Sequence, residues 1–343
     1  MTPSLGIFLL LVIAALRLGS ALLLPIVVAG LMALLLAPVV RWLVGRGLPA
    51  GLAAGLIVLG TSTVGVTSIG LLASPAADWL ERAPKSLEQA ERKLRRLARP
   101  LETLQQTADK VQQVTQGGVV GGAPAPRTVT VAPVGMMSRL SGTTLSLLGA
   151  LMTVIFLTYF LLASGDRFRE KFAEMLPERH RKQMATAIVE MQRQMSHYLL
   201  LSTLINAAVG LLTWGALQLI GFPNPALWAV VAAVLNFVPY VGAVVTMVVI
   251  GLAGLVSFDT THEMFLALGA FFVINMIESN VATPMLLGRR MPLNPVAIFV
   301  GLLFWGWVWG ITGAVLAVPL TVLVKVVSDR VDGLKPFGKM LDN

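Results

Sequence analysis

Apolar runs too long for any soluble core fill the chain from Leu5 to Leu72 and again from Leu145 onward. A helix needs about 20 mostly apolar residues to cross the hydrocarbon of a bilayer. Backbone amides in that solvent must be paired internally, so runs of this kind predict an all-α polytopic membrane protein. Composition agrees. Of 343 residues 56% are hydrophobic and 13% charged, with a mean hydropathy of +0.80, whereas about a quarter of a soluble domain is charged. A soluble enzyme with one small anchor is excluded. The chain has no cysteine, which removes disulfides, thiolate metal sites and cysteine nucleophiles. The histidines, His180, His197 and His262, lie far apart in sequence, so neither a metal site nor a resident cofactor is expected.

The formal charge of +9 would raise the question of nucleic acid in a soluble protein. Here Lys and Arg flank membrane spans, where they hold loops in the cytoplasm, and no nucleic-acid partner is expected. Spans are predicted at Leu5 to Leu22 and Pro25 to Val44, parted at Pro25, and at Ala50 to Ala73, whose Gly51 and Gly55 allow close helix packing. Arg41 and Arg46 put the second loop, and with it the N-terminus, in the cytoplasm. No basic residue precedes Arg17, so the first run reads as a retained helix rather than a signal peptide.

Between Ser74 and Arg139 the composition changes to ten Lys/Arg and six Asp/Glu. Leu80, Ala83, Leu87, Ala90, Leu94, Leu97, Leu101, Leu104, Ala108 and Val111 recur there at spacings of three and four, a heptad stripe. Pro84 and Pro100 should begin or kink helices, which predicts two or three amphipathic pieces packed on one another or on neighbouring protomers. A Gly/Pro-rich linker ends at Gly135. A fourth span runs from Leu145 to Leu162, and Phe168, Phe172, Met175 and Leu176 then form an apolar face of a charged, cytoplasmic surface helix. Met184, Ile188, Met191 and Met195 continue that face into the next span.

The C-terminal part repeats itself. Ile205-Asn206, Asn224-Pro225 and Gly242-Ala243-Val244 recur in order as Ile274-Asn275, Asn294-Pro295 and Gly313-Ala314-Val315. The motifs are separated by 17 and 16 residues in the first copy and by 18 and 17 in the second, which duplication explains. Each copy holds a span, Leu199 to Ile220 or Phe265 to Leu286, then a long apolar stretch broken near its middle. The breaks are Asn236 to Gly242, around Pro239, and Trp305 to Gly310. Each stretch is either one tilted span or a re-entrant hairpin of two half-helices. Charge decides for the hairpin, which keeps Asp259 and Glu263 outside and places Arg289-Arg290, Lys325, Arg330, Lys335 and Lys339 in the cytoplasm. A half-helix of about 13 residues reaches about 20 Å, so the tips would lie deep in the membrane. The units are then residues 1–73, three spans; 74–139, the soluble insert and linker on the outer side; 140–196, a span and surface helix; 197–256 and 257–326, the two inverted repeats; and 327–343, a cytoplasmic tail. About eight membrane segments result.

Glu278 is the sharpest single signal, an acidic residue within a predicted span, where a carboxylate is costly unless paired, protonated or wet. Helical spacing puts it on one face with Asn275 and Ala282. It either contacts a solute or ion, or marks a helix end capped by Pro284 near Arg289 or Arg290. Asn206, Asn236, Pro239, Tyr240, Gly242 and Asn275 complete the candidate pathway; the alternative for Asn236 and Tyr240 is that they only satisfy the broken backbone. Trp305, Trp307 and Trp309 are candidates to line the second hairpin tip, with aromatic packing as the alternative. The chain lacks GxxxxGK[ST], HExxH and GxSxG, so it offers no nucleotide loop, zinc motif or nucleophile elbow and does not read as an enzyme.

The segments NPALWAVVAAVLNFVPYVGAVV and IESNVATPMLLGRRMPLNPVAIFVGLLFWGWVWGITGAVLAVPLTVLVKVV resemble the signature of the autoinducer-2 exporter family of bacterial permeases. The pattern residues are Asn236, Pro239, Tyr240, Gly242, Glu278, Pro284, Gly288 and Pro319. The resemblance implies a multi-pass protein of the bacterial inner membrane that forms homo-oligomers, pentamers among them. It also implies elevator-like transport, with autoinducer-2 or a monovalent cation exchanged for protons as the moving species. A scaffold that recruits a partner through residues 78–115 is the expectation from a different class.

Overall fold

Every described element is helical, as internal pairing of the backbone in hydrocarbon requires. The computed structural model describes residues 3–113, 148–164, 178–258, 260–287, 294–330 and 335–341. The linker ending at Gly135, the face from Phe168 to Leu176, Asp259, Gly288 and Arg289-Arg290 lie outside the described residues. Among the described residues five helices are long and apolar enough to cross a membrane, with shorter apolar helices beside them.

The chain opens with α1 (Pro3–Leu18) and α2 (Ser20–Val44). The break falls at Gly19 rather than at Pro25, which lies buried inside α2. A Cβ on Gly19 would stand 2.8 Å from the Ala15 carbonyl oxygen, so this bend needs glycine, whereas a proline one turn into a helix forfeits a single bond. α3 (Ala50–Gln113) is one helix of 64 residues, which corrects the expected pieces. It runs through both Pro84 and Pro100 because the Glu, Lys, Arg, Gln and Leu around them are strong helix formers. At 1.5 Å per residue it is about 96 Å long, some three times the thickness of the hydrocarbon core. Its first part packs on α2 and α4 (Leu148–Ser164) through Val40, Ala53, Ala54, Val58 and Leu162. Gly51 and Gly55 face Tyr159 at ordinary contact distance, 3.7 Å from an added Cβ.

α5 (Glu178–Ile220) carries the surface segment straight into the span. After it, α6 (Pro225–Leu235) and α7 (Val241–Ser257) fold back on each other. Phe222 and Phe258, at the two ends of this stretch, meet with ring centroids 5.4 Å apart. Trp228 of α6 shares a core with Ile250 and Ala253 of α7 and with Leu217 and Phe271. α8 (Thr261–Ile277) runs into a π turn, Glu278–Ala282, and α9 (Thr283–Leu287).

The last long stretch folds back as well. α10 (Pro295–Val315) turns at Gly310, whose φ of 65 and ψ of −146 are non-helical, and leads to α11 (Ala317–Arg330). Ile298 then packs against Val318 and Val322. A Cβ on Gly313 would stand 2.0 Å from the Trp305 carbonyl oxygen, so the chain can reverse there only without a side chain. The short α12 (Lys335–Met340) closes the base, where the Asn294 amide donates to the Leu341 carbonyl at 3.0 Å. Large apolar side chains face outward, among them Leu219 and Ile311, as lipid contact demands.

Candidate functional site

The α6–α7 turn is built by its own sequence. Asn236 ends α6, Pro239 removes a donor, and Tyr240 takes φ 63, ψ −54, a conformation rare for a residue with a side chain. Gly242 is required two residues on, because a Cβ there would fall 1.9 Å from the Leu235 carbonyl oxygen. Thr246 donates to the Gly242 carbonyl at 2.7 Å. Reversing the chain within five residues sets the Asn236 amide at the tip, between α5 and α8.

Three amides meet there. Asn236 donates through Nδ2 to Oδ1 of Asn206 at 2.9 Å, and Asn275 donates to Oδ1 of Asn236 at 3.5 Å. Each amide comes from a different element, and Asn206 is buried. An amide hydrogen bond contributes about 1 kcal/mol net, but an abandoned buried partner costs about 1–3 kcal/mol, so this chain couples the turn to both helices.

One turn further along α8 the helix widens. The Thr283 amide donates to the Glu278 carbonyl across the π turn, and Thr283 Oγ1 donates to Glu278 Oε1 at 2.5 Å. Asn275 and Glu278 line one cavity, but the extra residue of the turn brings Thr283, in place of the expected Ala282, beside Glu278. Pro284 supplies the cause. Lacking an N–H, it cannot bond the Asn280 carbonyl, and the wider turn relieves the clash of its ring. It does not end the helix, which continues to Leu287. Ser279 and Asn280 turn to their own backbone, donating to the carbonyls of Asn275 and Met276 at 2.8 and 2.9 Å.

These groups line a cavity of about 520 Å³. Asn206, Asn236, Pro239, Tyr240, Asn275 and Glu278, all singled out by sequence, form its wall together. Gly242 supports the turn from behind. Sequence reasoning missed Tyr198 and Ser202, and also Ile298 of α10, while Thr283 beside Glu278 and Pro319 of α11, a residue of the family pattern, line the cavity with them. Ser202 and Tyr198 fall one turn and two turns before Asn206 on α5, a polar periodicity that could have found them.

The three tryptophans lie elsewhere. Trp305 and Trp309 are buried and tilted against each other at 5.2 Å, and the Trp309 indole donates to the Leu16 carbonyl at 2.9 Å. Trp307 is exposed beside the Arg17 guanidinium, 4.9 Å from its ring centroid. They pack the second turn onto α1. Lys325 is buried in α11 and pairs with Asp329 at 2.8 Å near Gly338 of α12.

A family model described as AI-2E family transporter matches residues 6–333. The chain belongs to this family. "Putative transport protein YhhT" of Escherichia coli is 29% identical to it over 328 residues, covering 95% of this chain and 89% of that protein. The "AI-2 transport protein TqsA" of the same organism is 30% identical over 208 residues, 61% of this chain and 58% of that protein. A "Putative transport protein" of Borreliella burgdorferi is 31% identical over 193 residues, 56% of this chain and 53% of that protein. As an AI-2E transporter the chain is a multi-pass membrane protein of a transport family, and the cavity is its candidate transport site.

Proposed function

We propose that the chain is a secondary transporter of the bacterial inner membrane that carries a small polar solute through this cavity. The observation that carries the reading is the convergence of Asn206, Asn236, Asn275 and Glu278, from α5, the α6–α7 turn and α8, on one cavity. Polar groups inside apolar membrane helices are costly and mark solute or ion paths. Transporters place such groups where helices are broken.

In this reading the folded-back stretches are re-entrant hairpins that enter from opposite faces, and the two C-terminal units are inverted repeats. Support comes from their meeting ends and from their turning points, since the same 70 residues separate Tyr240 from Gly310 and Asn224 from Asn294. Counting each hairpin once gives eight membrane segments, with both termini cytoplasmic and residues 74–139 outside. An elevator-like shift of the hairpin region moves the solute. The chain assembles with copies of itself, pentamers being what the family resemblance implies.

Autoinducer-2, the solute in the name of TqsA, is the first probe. Proteoliposomes are expected to release it with saturation, and Asn236→Ala to slow release at least about tenfold, the factor for 1.4 kcal/mol. Undiminished release from the variant would remove the cavity from the path. The second reading, monovalent cation/proton antiport, is favoured by Glu278 in its π turn. It requires Glu278→Gln to abolish pH- and cation-dependent flux, and unchanged flux would end it.

A further inference from the structure

The charge balance of the cavity narrows what it can hold. Among the described residues that line it, Glu278 is the one carboxylate, and neither lysine, arginine nor histidine joins it. A carboxylate at the depth of a membrane helix repels anions and favours a ligand that brings a positive charge. The amides of Asn206, Asn236 and Asn275 already bond to one another, so they supply polarity without neutralising that charge.

The cavity is large enough for an organic ligand. The cavity measures about 520 Å³, against the roughly 30 Å³ that one water occupies in the liquid. A lone monovalent cation would leave it mostly empty or wet, whereas organic ligands fill pockets of about 300–1,000 Å³. Phe237, Met247, Phe272 and Ile298 make up apolar wall beside the polar groups. Aromatic faces attract cations as well as hydrocarbon.

We infer that the cavity takes an organic ammonium compound with an apolar body, its ammonium on the Glu278 carboxylate and its hydrocarbon part against Phe237, Met247 and Phe272. This deepens the transport reading and rests on it. Multivalent anions are the wrong ligands for such a wall.

The test uses the purified full-length chain in detergent and three probes of nearly equal shape: benzylamine, benzyl alcohol and benzoate. Calorimetric titration and thermal shift are expected to give saturable binding of benzylamine, at least about tenfold tighter than benzyl alcohol, and no binding of benzoate. Glu278→Gln should bring the affinities for benzylamine and benzyl alcohol to within about twofold of each other. Because the three-probe comparison is made on the unaltered chain, a misfolded variant does not decide the outcome. Equal or tighter binding of benzyl alcohol or benzoate overturns the ammonium inference but keeps a solute-binding cavity. If no probe binds, the inference fails. The transport reading is decided separately, by whether proteoliposomes release autoinducer-2 with saturation.

Discussion

At the scale of single residues, the amide chain makes Asn236 the most consequential side chain of the cavity. Its removal leaves Asn206 and Asn275 without their partner, so Asn236→Ala should lower stability by about 1–3 kcal/mol, read as a shift in thermal unfolding, besides slowing flux. Gly242 gives a purely steric prediction. A methyl group 1.9 Å from the Leu235 carbonyl oxygen forces the backbone apart, and Gly242→Ala should destabilise by about 1–3 kcal/mol, whereas Gly269→Ala, with nothing within 4 Å of the added atom, should not. The polar residues were legible in the sequence because amides and a carboxylate stand out in apolar runs. The hydrogen bond from Thr283 to Glu278 was not, since it depends on the π turn that Pro284 provokes, and ideal helical spacing points to Ala282 instead. The alternatives left open for Trp305 and Trp309 were closed by a partner, Leu16, lying 293 positions away in the chain, which no local pattern contains.

At the scale of elements, the breaks at Pro239 and Gly310 were readable from proline, glycine and the repeat. The continuity of α3 was not, because the proline rule weighs each site alone while the helix formers on both sides act together. A 64-residue helix carrying ten heptad positions is suited to pair with copies of itself. Replacing Leu87 and Leu94 by Glu should then shrink the particle in detergent, measured by light scattering, with the membrane part still folded. An unchanged mass would show that the assembly is held within the membrane. Deleting residues 78–115 separates transport from scaffolding: a transporter keeps flux through the cavity, and a scaffold loses its partner.

At the scale of the whole molecule, the positive excess that composition reports becomes an argument about direction. On the proposed topology Arg41, Arg46 and the basic residues after α11 share the cytoplasmic face, and Glu278, in the π turn after α8, precedes Arg289-Arg290 in the chain. On the proposed topology the cavity would face the cytoplasm, and transport would then require a second state open to the other side. Since the chain has no cysteine, Ser202→Cys places a unique thiol in the cavity wall. Labelling it with a membrane-impermeant maleimide in right-side-out and in inside-out vesicles tests alternation most directly. The account predicts modification from both faces, slower from the outside; modification from one face only, or from neither, would contradict it.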